Sequence, residues 1–524
     1  MPEFRSSFKP EHSLEANGTL MNIVPKILGY DSELANSLLS DDVSDGRNAE
    51  AARRLLSKIE GYPRRNSIHG TQSESGRRFL EATGGSVYID CDHLEVNLPE
   101  TLNAFSQPAA WHGMLRSVRE AQQAASRTLP NGTRLCVLAN TGDGGHQSYG
   151  SHVNVCVSRR AFQDVLYRKP HLASVFATHL VTSLPFTGQG QVGAGNGREA
   201  CPFQWSQRAD WFEQFCSLQT TAQRGLLNLR DENLCGSNDD LARMHIIFLD
   251  NTLSPVATIL KFGTCQLLLA MLEGGWLDST LALDDPLEAA SGISRDLSLR
   301  QRWATAIRGR ALTAVEMQTA IAERAGEFVA SGAARGCVPE AERIVKLWLE
   351  TLSYLRQQDG EALAERCDGW LKYLLLNRYR SEHGLTWSSN TIRLLDLMFA
   401  SLDPDESHFF QMADAGLPRL WPTDAEIERG QYEPPTDTRA YFRAHVLRRF
   451  GHMVNDLDWD HIRFSLQREM YWSFTSKLSM STPWDFNRSQ TDELLAACET
   501  VEQLVEAVNE RGADVPPAQN FLAN

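Results

Sequence analysis

Paired cysteine motifs are missing from this chain. Its 10 cysteines are scattered from Cys91 to Cys498, with neither the CxxC spacing of a zinc ribbon nor the density of a small disulfide scaffold, and they read as reduced thiols. Long apolar runs are missing too: the longest, Leu267 to Leu272 with its flanks, falls well short of the roughly 20 residues of a membrane helix. The first residues carry no signal-peptide pattern, so the expected location is the cytoplasm. Positive charge is in deficit, with 51 Lys and Arg against 66 Asp and Glu and a net charge of −15. General binding to nucleic acid or an anionic membrane needs a basic face, and neither partner is expected. The glycine-dense stretch at 186–197, FTGQGQVGAGNG, lacks the helix that must follow a dinucleotide fingerprint; Pro202 and a strand-like segment come next, which predicts a flexible loop.

What is present is an ordinary globular composition over 524 residues, enough for a large domain and a smaller one. Residues 1–20 are polar and aperiodic and read as a flexible N-terminal extension; residues 21–450 form the expected large domain and 451–524 a small C-terminal one. Strand-like pieces alternate with helices through the first 140 residues, indicating mixed α and β structure. Ser254-Pro255 reads as an N-cap followed by proline at the first helical position, with Gly274-Gly275 closing that helix. A basic helix is expected over 438–450, with Gly451 ending it.

The densest chemistry is Tyr88-Ile89-Asp90-Cys91-Asp92-His93-Leu94-Glu95, with Asp31 and Glu33 upstream. On a strand Asp31 and Glu33 share one face, as do Asp90 and Asp92. Carboxylates without thiolates suit magnesium better than zinc. Acids that are merely salt-bridged or solvated at a sheet edge fit the spacing equally well. In 151–157 the valines 153, 155 and 157 fall on one face and His152, Asn154 and Cys156 on the other. Arg208, Arg230 and Arg243 lie in strand-like or loop segments, where they suit phosphate oxygens or, taken singly, ordinary ion pairs.

The order GxExE at 29–33, YxDxxHxE at 88–95, SYGxHxN at 148–154, QxSQRADxxE at 204–213, NxRDE at 228–232, RxHxxxxD at 243–250, PPTDTRAYFR at 434–443 and WD at 459–460 resembles the bacterial Pup ligase and depupylase family from about residue 23 onward. The resemblance implies an α+β fold: a glutamine-synthetase-like large domain with a curved antiparallel sheet and packed helices, plus a small C-terminal domain. It implies ATP and Mg2+ as cofactors, and a Pup-like or other acidic protein as partner. By the same resemblance Asp31, Glu33, Tyr88 and Glu95 lie at the metals with His152 as a further ligand, Asp90 is the catalytic aspartate, and Trp459 packs on the nucleotide. Ser86 stands where the family has arginine near ATP, Leu98 replaces a threonine, and Asn233-Leu234 replaces Pro-His.

The local motifs are nearer the depupylase branch, although the 59 positions from Asp31 to Asp90 leave no room for the long loop that depupylases insert there. Three readings follow: an ATP- and magnesium-dependent depupylase or deamidase; a ligase or phosphotransferase of the same fold with another substrate; and a non-catalytic binding protein. The last is disfavoured because a scaffold has no physical reason to keep Asp31, Glu33, Asp90 and Glu95 together. Arg439 and Arg443 of the basic helix are candidates for binding an acidic partner or the nucleotide phosphates, with pairing to the chain's own acids as the equal alternative.

Overall fold

Residues 23–40, 47–63, 75–144, 147–306, 310–468 and 472–514 are described by a computed structural model. The expected extension at 1–20 lies outside them. A central antiparallel sheet is built from β1 (Leu28–Ser40), β2 (Tyr62–Pro63), β3 (Ser75–Phe79), β4 (Ser86–Asp90), β5 (His93–Thr101), β6 (Thr133–Leu138), β7 (Ser151–Ser158) and an edge strand at Leu241–Ile246. Strand β1 pairs with β5 and β7 along its first half and with β6 along its second. From Leu28 to Leu38 it alternates buried and half-buried residues one by one, the signature of a strand with a packed face and a working face.

The packed face carries Leu28, Tyr30, Leu34, Val96, Val153 and Val155, all within the main apolar cluster. Helices Gln107–Ser126 and Pro255–Glu273 cover this side of the sheet and contact its strands. By length and composition the second could cross a membrane, but every residue of its apolar window is buried in the fold, which makes it the core helix. Pro255 opens it as expected, yet Ser254 makes no side-chain cap. The carboxylate of Asp368 anchors the chain just before it, accepting the backbone N–H groups of Leu253 at 2.6 Å and Ser254 at 3.1 Å, while the Arg366 carbonyl accepts the Ala257 N–H at 3.1 Å.

One expectation is corrected by packing. The glycine-dense stretch is not a free loop: residues 184–192 are buried, because the missing side chains let the backbone press against its neighbours. A Cβ on Gly188 would stand 2.0 Å from the Trp205 carbonyl oxygen, and Gly190 adopts φ +81° against the Phe203 ring. Helix Ala440–Phe450 contributes Phe442, Val446, Leu447 and Phe450 to a second apolar cluster shared with Leu457, Ile462, Phe464 and Leu494. It therefore packs with the three-stranded C-terminal sheet of Val454–Asp458, His461–Arg468 and Trp472–Ser479.

Candidate active site

Because side chains alternate along each strand, the register fixes which acids meet. Asp31 pairs with Asn97 on one side and His152 on the other, Glu33 with Glu95, and Tyr88 with Glu95. Strands β4 and β5 are joined by a two-residue turn, Cys91 and Asp92, both at positive φ (45° and 71°), which suits a tight hairpin. Asp92 thus belongs to the turn rather than sharing a strand face with Asp90. The turn sets Asp90 opposite His93 and brings Asp90 back to the acids of the sheet face: ligand oxygens of Glu33, Asp90 and Glu95 lie within 4.8 Å of one another.

Burial and mutual repulsion act on this cluster. Burial, then the Asp90 charge, pushes the Glu33 carboxyl up to about 7. Burial, followed by the charges of Asp31 and Glu33, holds Glu95 well above the usual carboxylate range, although Tyr88 donates its hydroxyl to it. Asp31 goes the other way: burial would raise it, but His152 and Arg243 outweigh that and hold it low. His152 Nδ1 lies 2.8 Å from Asp31 Oδ2, and Asn154 donates to Asp31 Oδ1. Arg243 Nη1 donates to Asn154 Oδ1 at 3.0 Å and His245 Nδ1 lies 2.7 Å from that oxygen, so a polar chain runs across the face from Arg243 to His152. Burial keeps the imidazoles of His152 and His245 below their ordinary values.

Behind the sheet a second network fixes β1. Tyr30 and Ser32 both donate to Asn251 Oδ1, Tyr30 lies 3.1 Å from Ser151 Oγ, and Lys261 Nζ donates to Tyr30 at 3.3 Å and to the Asp250 carbonyl at 3.1 Å. Asp250 itself accepts from the Gln189 and Gln207 backbone and from Ser206 Oγ, each at 2.9 Å. Each buried polar group here has a partner, which makes the platform under Asp31 and Glu33 rigid.

A cavity of about 800 Å³ opens over this face, lined by Asp31, Tyr88, Glu95, Arg230, Arg243 and Trp459 among others. Its size suits a nucleotide-sized molecule. Glu33 and Asp90 continue the acidic strip beyond it. The donor set fits a hard divalent cation: three carboxylates crowd together, two of them pushed toward the protonated form, and the buried Oδ1 of Asp90 has no hydrogen-bond partner.

Of the expected site residues, Asp31, Glu33, Tyr88, Asp90, Glu95 and His152 share the face, and Arg230, Arg243 and Trp459 border the cavity. Arg208 does not. It is fully buried, donating to the Ile247 carbonyl at 2.7 Å and to Ser148 Oγ at 3.2 Å, and it reaches the site only through its charge, which favours ionised Glu33. Arg439 and Arg443 are corrected as well. Neither is a surface residue; both bind Glu100, Arg439 Nε at 2.8 Å and Arg443 through a two-atom contact, and their exposures of 2% and 0% leave no face for a partner protein. Burial is possible because the Glu100 charge lies between them. Sequence reasoning missed Arg77 and Asn97. Asn97 was accessible by period two from Glu95; nothing in the spacing marks Arg77.

Acids clustered on an antiparallel sheet, open to a cavity rimmed by arginines and set on a satisfied polar platform, make an enzyme site rather than a packing face. The profile described as Pup-ligase protein matches residues 33–463, and the chain belongs to that family. It is 33% identical over 412 residues to a Pup deamidase/depupylase of Mycolicibacterium smegmatis, covering 78% of this chain and 79% of the relative. It is 29% identical over 446 residues to a Pup–protein ligase of Paenarthrobacter aurescens, covering 84% and 93%. The structure of the ligase PafA in complex with Pup superposes with a TM-score of 0.74 over 94% of this chain and 96% of that one at 21% identity. PafA in complex with ADP gives 0.69 over 85% and 92% at 20% identity. The expected α+β architecture is the fold observed.

Proposed function

We propose that the protein is an ATP- and magnesium-dependent hydrolase of the depupylase type, cleaving a glutamine side-chain amide or an isopeptide bond of a Pup-like protein. The carrying observation is Asp90: a carboxylate with an unpartnered buried oxygen, projected by a tight hairpin beside Glu33 and Glu95 at the end of the acidic face. Identities to depupylases and ligases are alike, at 33% and 34%, and the hydrolytic direction rests on the local motifs nearer the depupylase branch.

Asp31, Glu33, Glu95 and Tyr88 would hold the metal, with His152 orienting Asp31. Bound magnesium supplies positive charge that holds phosphate oxygens and polarises the reacting centre. The chain's own residues do the rest. Asp90 takes a proton from water as the water oxygen bonds to the amide carbon; the carbon–nitrogen bond breaks, and the proton passes to the departing ammonia or lysine amine. Arg230 and Arg243 hold negative charge at the cavity, and Trp459 gives the nucleotide an aromatic wall.

The second reading, a ligase or phosphotransferase, is favoured by one observation: only 59 positions separate Asp31 from Asp90. Incubation with ATP, Mg2+ and either a Pup-like protein ending in glutamine or a Pup conjugate, beside Asp90→Asn, separates the two. Ammonia or tag release by the parent and its loss in the variant support hydrolysis. Stoichiometric ADP with a newly joined product, and no release, establishes the second reading instead.

A further inference from the structure

Two of the 10 cysteines meet. Cys156, near the end of β7, and Cys235, in the turn between Arg230 and the edge strand, share a four-residue buried apolar cluster with Ile27 and Leu241. Each thiol is the other's hydrogen-bonding neighbour. Both are buried, at 8% and 2% exposure, yet both line the cavity over the sheet. A small molecule that enters the cavity therefore reaches two sulfurs side by side. Buried Cys265 and Cys367 have no such access, since neither lines it.

The turn fixes Cys235 from both sides. Asn233 Oδ1 accepts the Cys235 backbone N–H at 3.1 Å, the Cys235 carbonyl accepts from Asn238 at 3.1 Å, and Leu234 and Gly236 flank it at positive φ, 53° and 58°. Leucine rarely takes this conformation, and local strain of this kind gathers at functional positions. The two thiols also differ in character. The hydrogen bond with Cys156, then the Arg439 charge, bring the Cys235 thiol down against the effect of burial, while the same bond and burial push Cys156 up. Thiolate is the form that attacks a peroxide, so Cys235 is the attacking sulfur and Cys156 the resolving one.

The same turn ties the cavity rim together. The Glu232 carbonyl accepts Arg243 Nε at 2.8 Å, the Leu234 carbonyl accepts Arg439 Nη2 at 2.9 Å, and a Cβ on Gly236 would stand 2.5 Å from Asp460 Oδ2, next to Trp459. On β7, Cys156 shares its face with Asn154, whose side chain meets Arg243 and His245. A covalent link draws two sulfurs closer than a hydrogen bond does. It would pull the turn toward β7 and carry Glu232 and the contact with Asp460 along.

We propose that Cys156 and Cys235 form a reversible disulfide, closed by a hydroperoxide that enters the cavity, and that the closed form binds nucleotide more weakly. In the first step the Cys235 sulfur attacks one peroxide oxygen, the O–O bond breaks, and the Cys235 proton leaves with the other oxygen as water or an alcohol. In the second, the Cys156 sulfur attacks the sulfur of the Cys235 sulfenic acid, the S–O bond breaks, and the hydroxyl departs as water with the Cys156 proton. Two thiols lose two electrons and the peroxide gains them. Disulfides in otherwise reduced proteins are typically of this transient, sensing kind. The effect on affinity rests on the nucleotide reading proposed above; the disulfide does not.

The test uses the full chain, reduced and then exposed to hydrogen peroxide, with free thiols alkylated before digestion. Mass spectrometry should find a peptide pair joined through Cys156 and Cys235 that dithiothreitol separates. Cys156→Ser, which keeps a hydrogen-bond donor, should instead give a Cys235 sulfenic acid trapped by dimedone. Calorimetry with ADP and Mg2+ should show affinity falling roughly tenfold on oxidation, within the usual span of coupling between two sites, returning with dithiothreitol, and indifferent to peroxide in Cys235→Ser. Melting curves verify that each variant folds.

Absence of the joined pair from the oxidised parent, or joining of either cysteine to a different one, overturns the disulfide whatever the variants do. Trapping on Cys156 in Cys235→Ser, with none on Cys235 in Cys156→Ser, overturns the assignment of the attacking sulfur. Equal ADP affinity in the reduced and disulfide forms overturns the regulation. Failure of the reduced parent to bind ADP, with the joined pair present, overturns the nucleotide reading and the effect on affinity while the disulfide stands.

Discussion

His152 and Asp31 face each other across the β1–β7 pairing, with the imidazole Nδ1 2.8 Å from a carboxylate oxygen. The contact holds Asp31 ionised in a buried setting and occupies one of the two ring nitrogens. His152→Ala should therefore release the Asp31 carboxylate and weaken Mg2+-dependent nucleotide binding roughly 10- to 100-fold, as loss of an orienting partner does. Titration of Mg2+ at fixed nucleotide checks this; an affinity within twofold of the parent would remove His152 from the site.

Gly150 offers a sharper probe. A Cβ there would lie 2.5 Å from Glu33 Oε1 and 3.0 Å from His152 Cε1. The Glu33 atom is the far end of a movable side chain, so Gly150→Ala should fold with a melting temperature close to the parent's while displacing Glu33. Loss of Mg2+ affinity without loss of stability is the expected pair of measurements, and a parallel fall in both would point to a backbone defect instead.

Glu100 makes a stability prediction with a pH sign. Burial alone would raise its carboxyl, but Arg443 and Arg439 bring it down to about 2, against 4.5 for the ordinary group. The folded value lies below the unfolded one, so the stabilisation is fully present above about pH 4.5 and is lost as pH falls toward 2. Glu100→Ala leaves two buried guanidinium groups uncompensated and should cost about 3–5 kcal/mol. Denaturant unfolding of Glu100→Gln and parent across this range should converge at low pH; curves that stay parallel would count against it.

The packing of residues 184–192 is tested by Gly188→Ala. The new methyl meets the Trp205 carbonyl at 2.0 Å, which backbone must move to relieve, and a loss of about 1–3 kcal/mol is expected. A neutral substitution in chemical denaturation would mean that this segment yields easily.

Much of the site was legible because strand alternation is local. Asp31 with Glu33, and His152 with Asn154, could be placed on common faces from spacing alone, and Val153 correctly on the core side. The fates of Arg439 and Arg443 were not legible, since their burial depends on Glu100, more than 330 positions earlier in the chain. Arg208 misled for the same reason: an arginine satisfied by a carbonyl from Ile247 and one aimed at a cavity carry the same local sequence. The glycine-dense stretch suggested freedom of motion, but glycine also permits close approach, and only tertiary contacts decide between these uses.

Strand β1 alternates working and packed residues through three pairings at once. Sliding it by one position would turn Tyr30 and Ser32 toward the cavity and drive Asp31 and Glu33 into the apolar core. Variation within such a lattice can proceed only by exchanging side chains in place, never by insertion or deletion within the strand. Descendants of this chain that acquire a new substrate should therefore change length in the connections between strands while keeping the spacing of Asp31, Glu33 and Tyr30 intact.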